Sequence, residues 1–248
     1  MTKDTYRDLL LMELDRSEAL RARVREDREF SERRALFREW QGGRLARSHR
    51  DLLESRRFGA AATFFLTDLY GPTDLSRHIE DVRRIVPVMT RLLPDSGLAT
   101  VAHAMELNAL SESLDGAMVE ALGEAIMAID VAAYGAAYRS LGRAEDRARQ
   151  IDLIELLGKA LDKLTHLPLI GATLKLMRRP AQLGGLGELH AFLERGYSAF
   201  GAMRGGAGEF VAIVVGRERA ISEALLAGDD EALERPPERQ PGGRVEKS

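Results

Sequence analysis

Leu75-Ser76-Arg77-His78-Ile79-Glu80-Asp81-Val82-Arg83-Arg84-Ile85-Val86-Pro87-Val88-Met89-Thr90-Arg91-Leu92-Leu93 carries Leu75, Ile79, Val82, Val86, Met89 and Leu93 at alternating steps of four and three. Steps of that size line one side of a 3.6-residue repeat, so the stretch reads as an amphipathic helix. Thr73 or Asp74 offers a side-chain oxygen to the first orphan N–H groups. Pro87 removes one backbone hydrogen bond inside the helix and should bend it. Pro94-Asp95-Ser96-Gly97 ends it.

The same period continues outward in both directions. Leu98–Leu122, Val131–Leu141, Glu145–Leu164, Ile170–Arg178, Leu186–Met203 and Glu209–Leu226 all read as helices, separated by Gly and Pro. Pro180 and Gly184-Gly185 stand between the helices Ile170–Arg178 and Leu186–Met203. Phe58–Tyr70 (FGAAATFFLTDLY) is apolar all round, which predicts a central buried helix. No segment alternates with the period of a strand. The expected fold is all-α: one multi-helix bundle of about eight or nine helices.

Three regions follow. Residues 1–57 interleave arginines with acids around sparse apolar positions such as Leu10, Leu14, Phe30, Phe37 and Trp40. This texture predicts two charged helices, broken near Gly42-Gly43 and packed on the bundle; they could also serve self-association. Residues 58–228 form the main domain. Residues 229–248 should be a short helical turn and then, from Pro236, a disordered tail rich in Pro and Gly.

Composition narrows function by exclusion. The 248 residues carry 36 basic and 39 acidic side chains, a net charge of −3, which argues against a nucleic-acid partner. With no cysteine, disulfides, thiol nucleophiles and iron–sulfur ligation are excluded. Phe58–Leu66 and Leu167–Met177 are the most apolar runs, well short of the roughly 20 residues of a membrane span. The start of the chain lacks a secretory pattern, so the cytoplasm is the expected location. Leu174–Arg179 (LKLMRR) could touch a bilayer surface. Cations among short apolar turns more often flank a packed helix, and membrane contact is not expected.

Candidate chemistry is sparse. Asp68 and Tyr70 are polar groups at the end of an apolar helix; Asp68 either serves a pocket or pairs with an arginine such as Arg77 or Arg83. His103 and Glu106 are neighbours at i,i+3, and the small residues Ala99, Ala102, Ser113 and Ala117 turn Glu106 inward. His78 borders the apolar stripe, where a haem ligand is the sharper reading and a half-buried histidine the plainer one. None of the five histidines has Glu three residues before it, and His-Glu-x-x-His is missing, so no metal site is expected. The glycine clusters at residues 184–187 and 205–208 match no phosphate-binding fingerprint.

Phe64-Phe65-Leu66-Thr67-Asp68-Leu69-Tyr70-Gly71-Pro72 resembles a block of an uncharacterised bacterial family of helical proteins. Met105–Ser111, Ile170–Arg178 and Phe192–Gly196 resemble later blocks of that family, so the likeness spans roughly Phe58 to Met203. The resemblance implies a helical fold and a bacterial origin; it implies no activity and no cofactor. The leading expectation is a non-enzymatic protein acting through a protein partner or a small ligand in a helical pocket. The alternatives are a helical-bundle enzyme or cofactor protein, with haem or metal, centred on Asp68, Tyr70, His103 and Glu106, and a peripheral membrane or lipid-binding protein.

Overall fold

The computed structural model describes residues 2–70 and 78–235. Among them every regular element is helical: α1 (Lys3–Glu26), α2 (Arg28–Ser48), α3 (Arg50–Leu53), α4 (Gly59–Phe64), α5 (Ile79–Leu92), α6 (Asp95–Leu122), α7 (Val131–Ser140), α8 (Ala144–Thr165), α9 (Pro168–Leu183), α10 (Gly187–Gly201) and α11 (Ala207–Leu226). These eleven helices exceed the eight or nine expected. The expected cap at Thr73 or Asp74, the start of the stripe at Leu75 and the tail from Pro236 lie outside the described residues.

Three boundaries differ from the sequence reading, each for a local reason. The break in the N-terminal helices falls at Asp27, whose carboxylate accepts from Phe30 N at 2.9 Å and caps α2. Helix α2 then runs through Gly42 and Gly43. A helical glycine costs about 1 kcal/mol, and the buried row Phe37, Gln41, Arg44 and Ser48 carries the helix across it. Pro180 lies inside α9 and does not end it. The stretch from Phe58 to Tyr70 is not a central buried helix. It is one short α-helical segment followed by a π-helical turn (Phe65–Leu69), closed by Tyr70 N donating to Phe65 O at 3.0 Å. Phe58, Ala61, Ala62 and Phe64 are buried, but Ala60, Thr63 and Thr67 face solvent.

The 28-residue α6 occupies the middle and would span about 42 Å at 1.5 Å per residue. Helices α1, α2, α7 and α8 pack along it. Its N-terminal half meets α1 and α5 through Leu10, Leu14, Ile79, Val82, Leu98 and Met105. Its C-terminal half meets α2 and α7 through Phe30, Phe37, Met118, Val119 and Tyr134. A further core joins α4, α10 and α11 through Phe58, Phe200, Phe210 and Val211. Each fully buried large side chain stabilises the fold by about 1.5–3 kcal/mol, so the charged N-terminal helices are held by the leucines and phenylalanines on their inner faces.

One close approach fixes the spacing of α8 and α11. A Cβ added at Gly158 would lie 2.3 Å from Val211 Cγ2, so only glycine lets these helices meet at this depth.

Candidate functional site

The residues singled out in the sequence fall into separate places. Asp68, at the π-helical turn, is buried and paired with Arg195 of α10 at 2.6 Å, while Thr67 Oγ1 donates to its other oxygen at 2.9 Å. Arg83, one of the expected partners, pairs instead with Asp15 at 2.7 Å. Arg77 lies outside the described residues. His78 is buried, with its ring 5.7 Å from that of Phe192. His103 Nδ1 lies 3.0 Å from Glu106 Oε2, and Arg149 of α8 donates to both Glu106 oxygens at 2.7 and 2.8 Å. Burial raises the Glu106 carboxyl, but the hydrogen bonds from Arg149 and His103 outweigh it and hold the group below its ordinary value. Helix α6 is thereby pinned to α8.

Tyr70 leads somewhere else. The π-helical turn aims its hydroxyl at α6, where it donates to Asp115 Oδ2 at 3.2 Å. From α2, Arg38 donates to Tyr70 O and lies over its ring, 5.1 Å from the centroid. Arg34 and Arg38, one turn apart, both hold Glu112 of α6; the Arg38 contact is 3.3 Å. Glu112 and Asp115 are themselves one turn apart on the inner side of α6, 8% and 4% exposed. Two carboxylates, two guanidiniums and a phenol thus share one buried network between α2, α6 and the π-helical turn. No described hydrogen bond or ion pair joins Asp68 or Tyr70 to His103 or Glu106.

Burial dominates the electrostatics here. It raises Asp115 to about 6, opposed by Arg38, reinforced by the like charge of Glu112 and opposed again by Arg147 and Arg34. The Tyr70 hydroxyl is pushed well above its usual range by burial and by Asp115. Further along α2, Arg44 meets Glu218 of α11 at 2.7 Å, and His49 Nε2 approaches the same carboxylate at 2.9 Å. Burial alone would raise Glu218, yet Arg44 and His49 overcome it and bring the group down to about 2.

A cleft of about 250 Å³ opens onto the first network. It is lined by Arg23 and Val24 of α1, Phe30 and Arg34 of α2, Glu112, Ser113, Ala117 and Glu120 of α6, and Arg143. Arg23 pairs with Glu120 at 2.5 Å and Arg143 with Asp146 at 2.6 Å; both carboxylates are substantially exposed. Arg34 Nε is buried and has no hydrogen-bond partner among the described residues. Among those residues, no group of three or more His, Asp or Glu side chains is placed to hold a metal ion. No helix among them is long and apolar enough to cross a membrane.

Of the network, the sequence reading found Tyr70 and missed Arg34, Arg38, Glu112 and Asp115. A signal existed. On α2 the inward row reads Phe30, Arg34, Phe37, Gln41, Arg44 and Ser48, a helical stripe in which polar residues replace apolar ones. On α6, Glu112 and Asp115 continue the step of three from Ala109. A search for apolar stripes alone passes over both rows.

A family model described as Domain of unknown function (DUF8198) matches residues 20–232, which takes in most of the charged N-terminal helices as well as the stretch from Phe58 to Met203. No curated protein and no solved structure matches the chain.

Proposed function

The chain belongs to the family described as a domain of unknown function (DUF8198), and from that premise we propose that it is a binding protein for a small anionic ligand, held in the cleft between α1, α2 and α6. The observation that carries this reading is the cleft's lining. Three arginines, Arg23, Arg34 and Arg143, face about 250 Å³ of space left by Gly116, Ala117 and Ser113. That volume lies just below the roughly 300–1,000 Å³ of small-molecule pockets and suits a ligand of few atoms. Arg34 Nε supplies a buried donor in need of an acceptor. Arg23 can turn from Glu120, which also lines the cleft, to a ligand at little cost, because exposed ion pairs contribute only about 0–1 kcal/mol, while Arg143 is held in place by Ser113 O and Oγ at 3.2 and 3.1 Å. The two carboxylates of the lining are each paired with arginine, Glu112 with Arg34 and Arg38 and Glu120 with Arg23, which offsets their charge towards an anion. Carboxylates and phosphates match the forked donors of arginine.

The test is thermal unfolding with a panel of citrate, inorganic phosphate, sugar phosphates and neutral sugars. An anion that binds only the folded protein raises the melting temperature, with a stabilisation that grows as the logarithm of one plus ligand concentration over Kd. Stabilisation by one or more anions, absent with neutral sugars and lost in Ala117→Phe and in the double variant Arg23→Ala/Arg143→Ala, supports the assignment. A panel without effect, or shifts that survive both variants, refutes it.

A further inference from the structure

Helix α9 packs on α10 and α8 through one side and leaves its outer side uncovered. Leu176 is 77% exposed, Leu183 90% and Met177 47%. Leu176, Arg179 and Leu183 follow one another at steps of three and four and form one outward line. The inner side is held by few contacts: Ala181 is buried, and Ile170, Gly171 and Leu174 are half-buried. His190 Nε2 of α10 donates to Leu174 O at 2.8 Å, and Arg178 pairs with Glu194 of α10 at 2.9 Å.

Charge is segregated onto the same helix. Between Pro168 and Leu183 stand Lys175, Arg178 and Arg179 with no Asp or Glu, in a chain whose net charge is −3. Arg178 is engaged by Glu194, whereas Lys175 and Arg179 have no ion-pair partner among the described residues. We propose that α9 is a docking helix for an anionic bilayer surface, with Leu176 and Leu183 entering the headgroup boundary and Lys175 and Arg179 resting against lipid phosphates.

Three observations select this occupant. The exposed leucines project from a helix that packs mainly on α10 and α8, and an amphipathic helix can lie with its apolar face in a planar interface. Two copies joined antiparallel through this face would set the cations of one against those of the other, so charge disfavours self-pairing. Arg179 within the outward line and Lys175 beside it suit a surface of opposite sign, where each Lys or Arg adds to the attraction. None of this depends on the cleft between α1, α2 and α6.

Vesicle flotation of the full chain tests the proposal. The protein is expected to float with phosphatidylcholine vesicles carrying about a third phosphatidylglycerol, to stay behind with pure phosphatidylcholine, and to be released near 1 M salt, where the Debye length falls to about 3 Å. The double variant Leu176→Asp/Leu183→Asp and the double variant Lys175→Glu/Arg179→Glu should each lower the bound fraction about tenfold or more, with melting temperatures close to the parent's because the altered side chains are exposed. Absence of flotation on the anionic vesicles overturns the proposal and leaves the ridge to an acidic protein partner. Retention of flotation by the leucine variant overturns it as well. A concentration-dependent dimer that the leucine variant abolishes, without vesicle binding by the parent, assigns the face to a second copy and overturns it too.

Discussion

Replacing Asp115 by Asn should stabilise this protein at neutral and alkaline pH. Asp115 is 4% exposed, accepts one hydrogen bond from Tyr70 and lies one turn from Glu112. Burial raises its carboxyl from 3.8 to about 6. At about 1.4 kcal/mol per pH unit, ionised Asp115 opposes folding by about 3 kcal/mol. The folded state holds the proton more tightly than the unfolded state. The cost is therefore fully present above pH 6, shrinks as pH falls from 6 towards 3.8, and is absent below that. Asn keeps the oxygen that Tyr70 needs and removes the charge, but its amide N–H groups need acceptors, and an unmet one costs about 1 kcal/mol. The net expectation at pH 8 is a gain of about 2 kcal/mol, or roughly 4–8 °C in melting temperature for a chain of this size. Calorimetry of parent and variant at pH 8, 6 and 4 measures it. The gap between the two should narrow as pH falls. A variant that melts below the parent at pH 8, or a gap that does not change with pH, refutes the argument that burial governs this carboxyl.

Glu218 behaves in the opposite sense. Its carboxyl, brought down to about 2 in the folded state, contributes stability that is fully present above about pH 4.5 and is lost as pH falls towards 2. Glu218→Gln should therefore cost about 3 kcal/mol at pH 7, since Arg44 is left buried without its counter-charge; urea unfolding at pH 7 and pH 3 should show the loss fall to about half or less at the lower pH. Glu106→Gln weakens the bonds from Arg149 and His103 and should cost about 1–2 kcal/mol, so unchanged stability in chemical denaturation would remove Glu106 from the structural framework. Gly158→Ala should cost about 1–3 kcal/mol by forcing α8 from Val211. Gly216→Ala on α11, whose Cβ meets nothing within 4 Å, should instead gain up to about 1 kcal/mol; equal melting points for the two variants would refute the close-approach argument.

The all-helical architecture was legible in the sequence because helical period and Gly/Pro punctuation are local properties. Ile79, Val82 and Val86 form the buried side of α5 as their spacing requires, and α6, α7 and α8 keep their expected spans to within a few residues. The His103–Glu106 pair was equally readable, since i,i+3 neighbours on a helix need no third element to meet. What the sequence left open depends on distance between elements. Arg34 and Glu112 are 78 positions apart, and Tyr70 and Asp115 are 45 apart; nothing in their local spacing announces the contact. The cost of burying Glu112 is offset only where α2 and α6 come together and supply opposite charges, and Asp115 remains a cost even there. The same holds for α9. Its three cations and its leucines were visible in the sequence, but a helix's apolar face reads alike whether a neighbour covers it or not. Only the packing of α9 on α10 decided that Leu176 and Leu183 remain in water, because exposure is set by what lies opposite a side chain and not by the side chain itself.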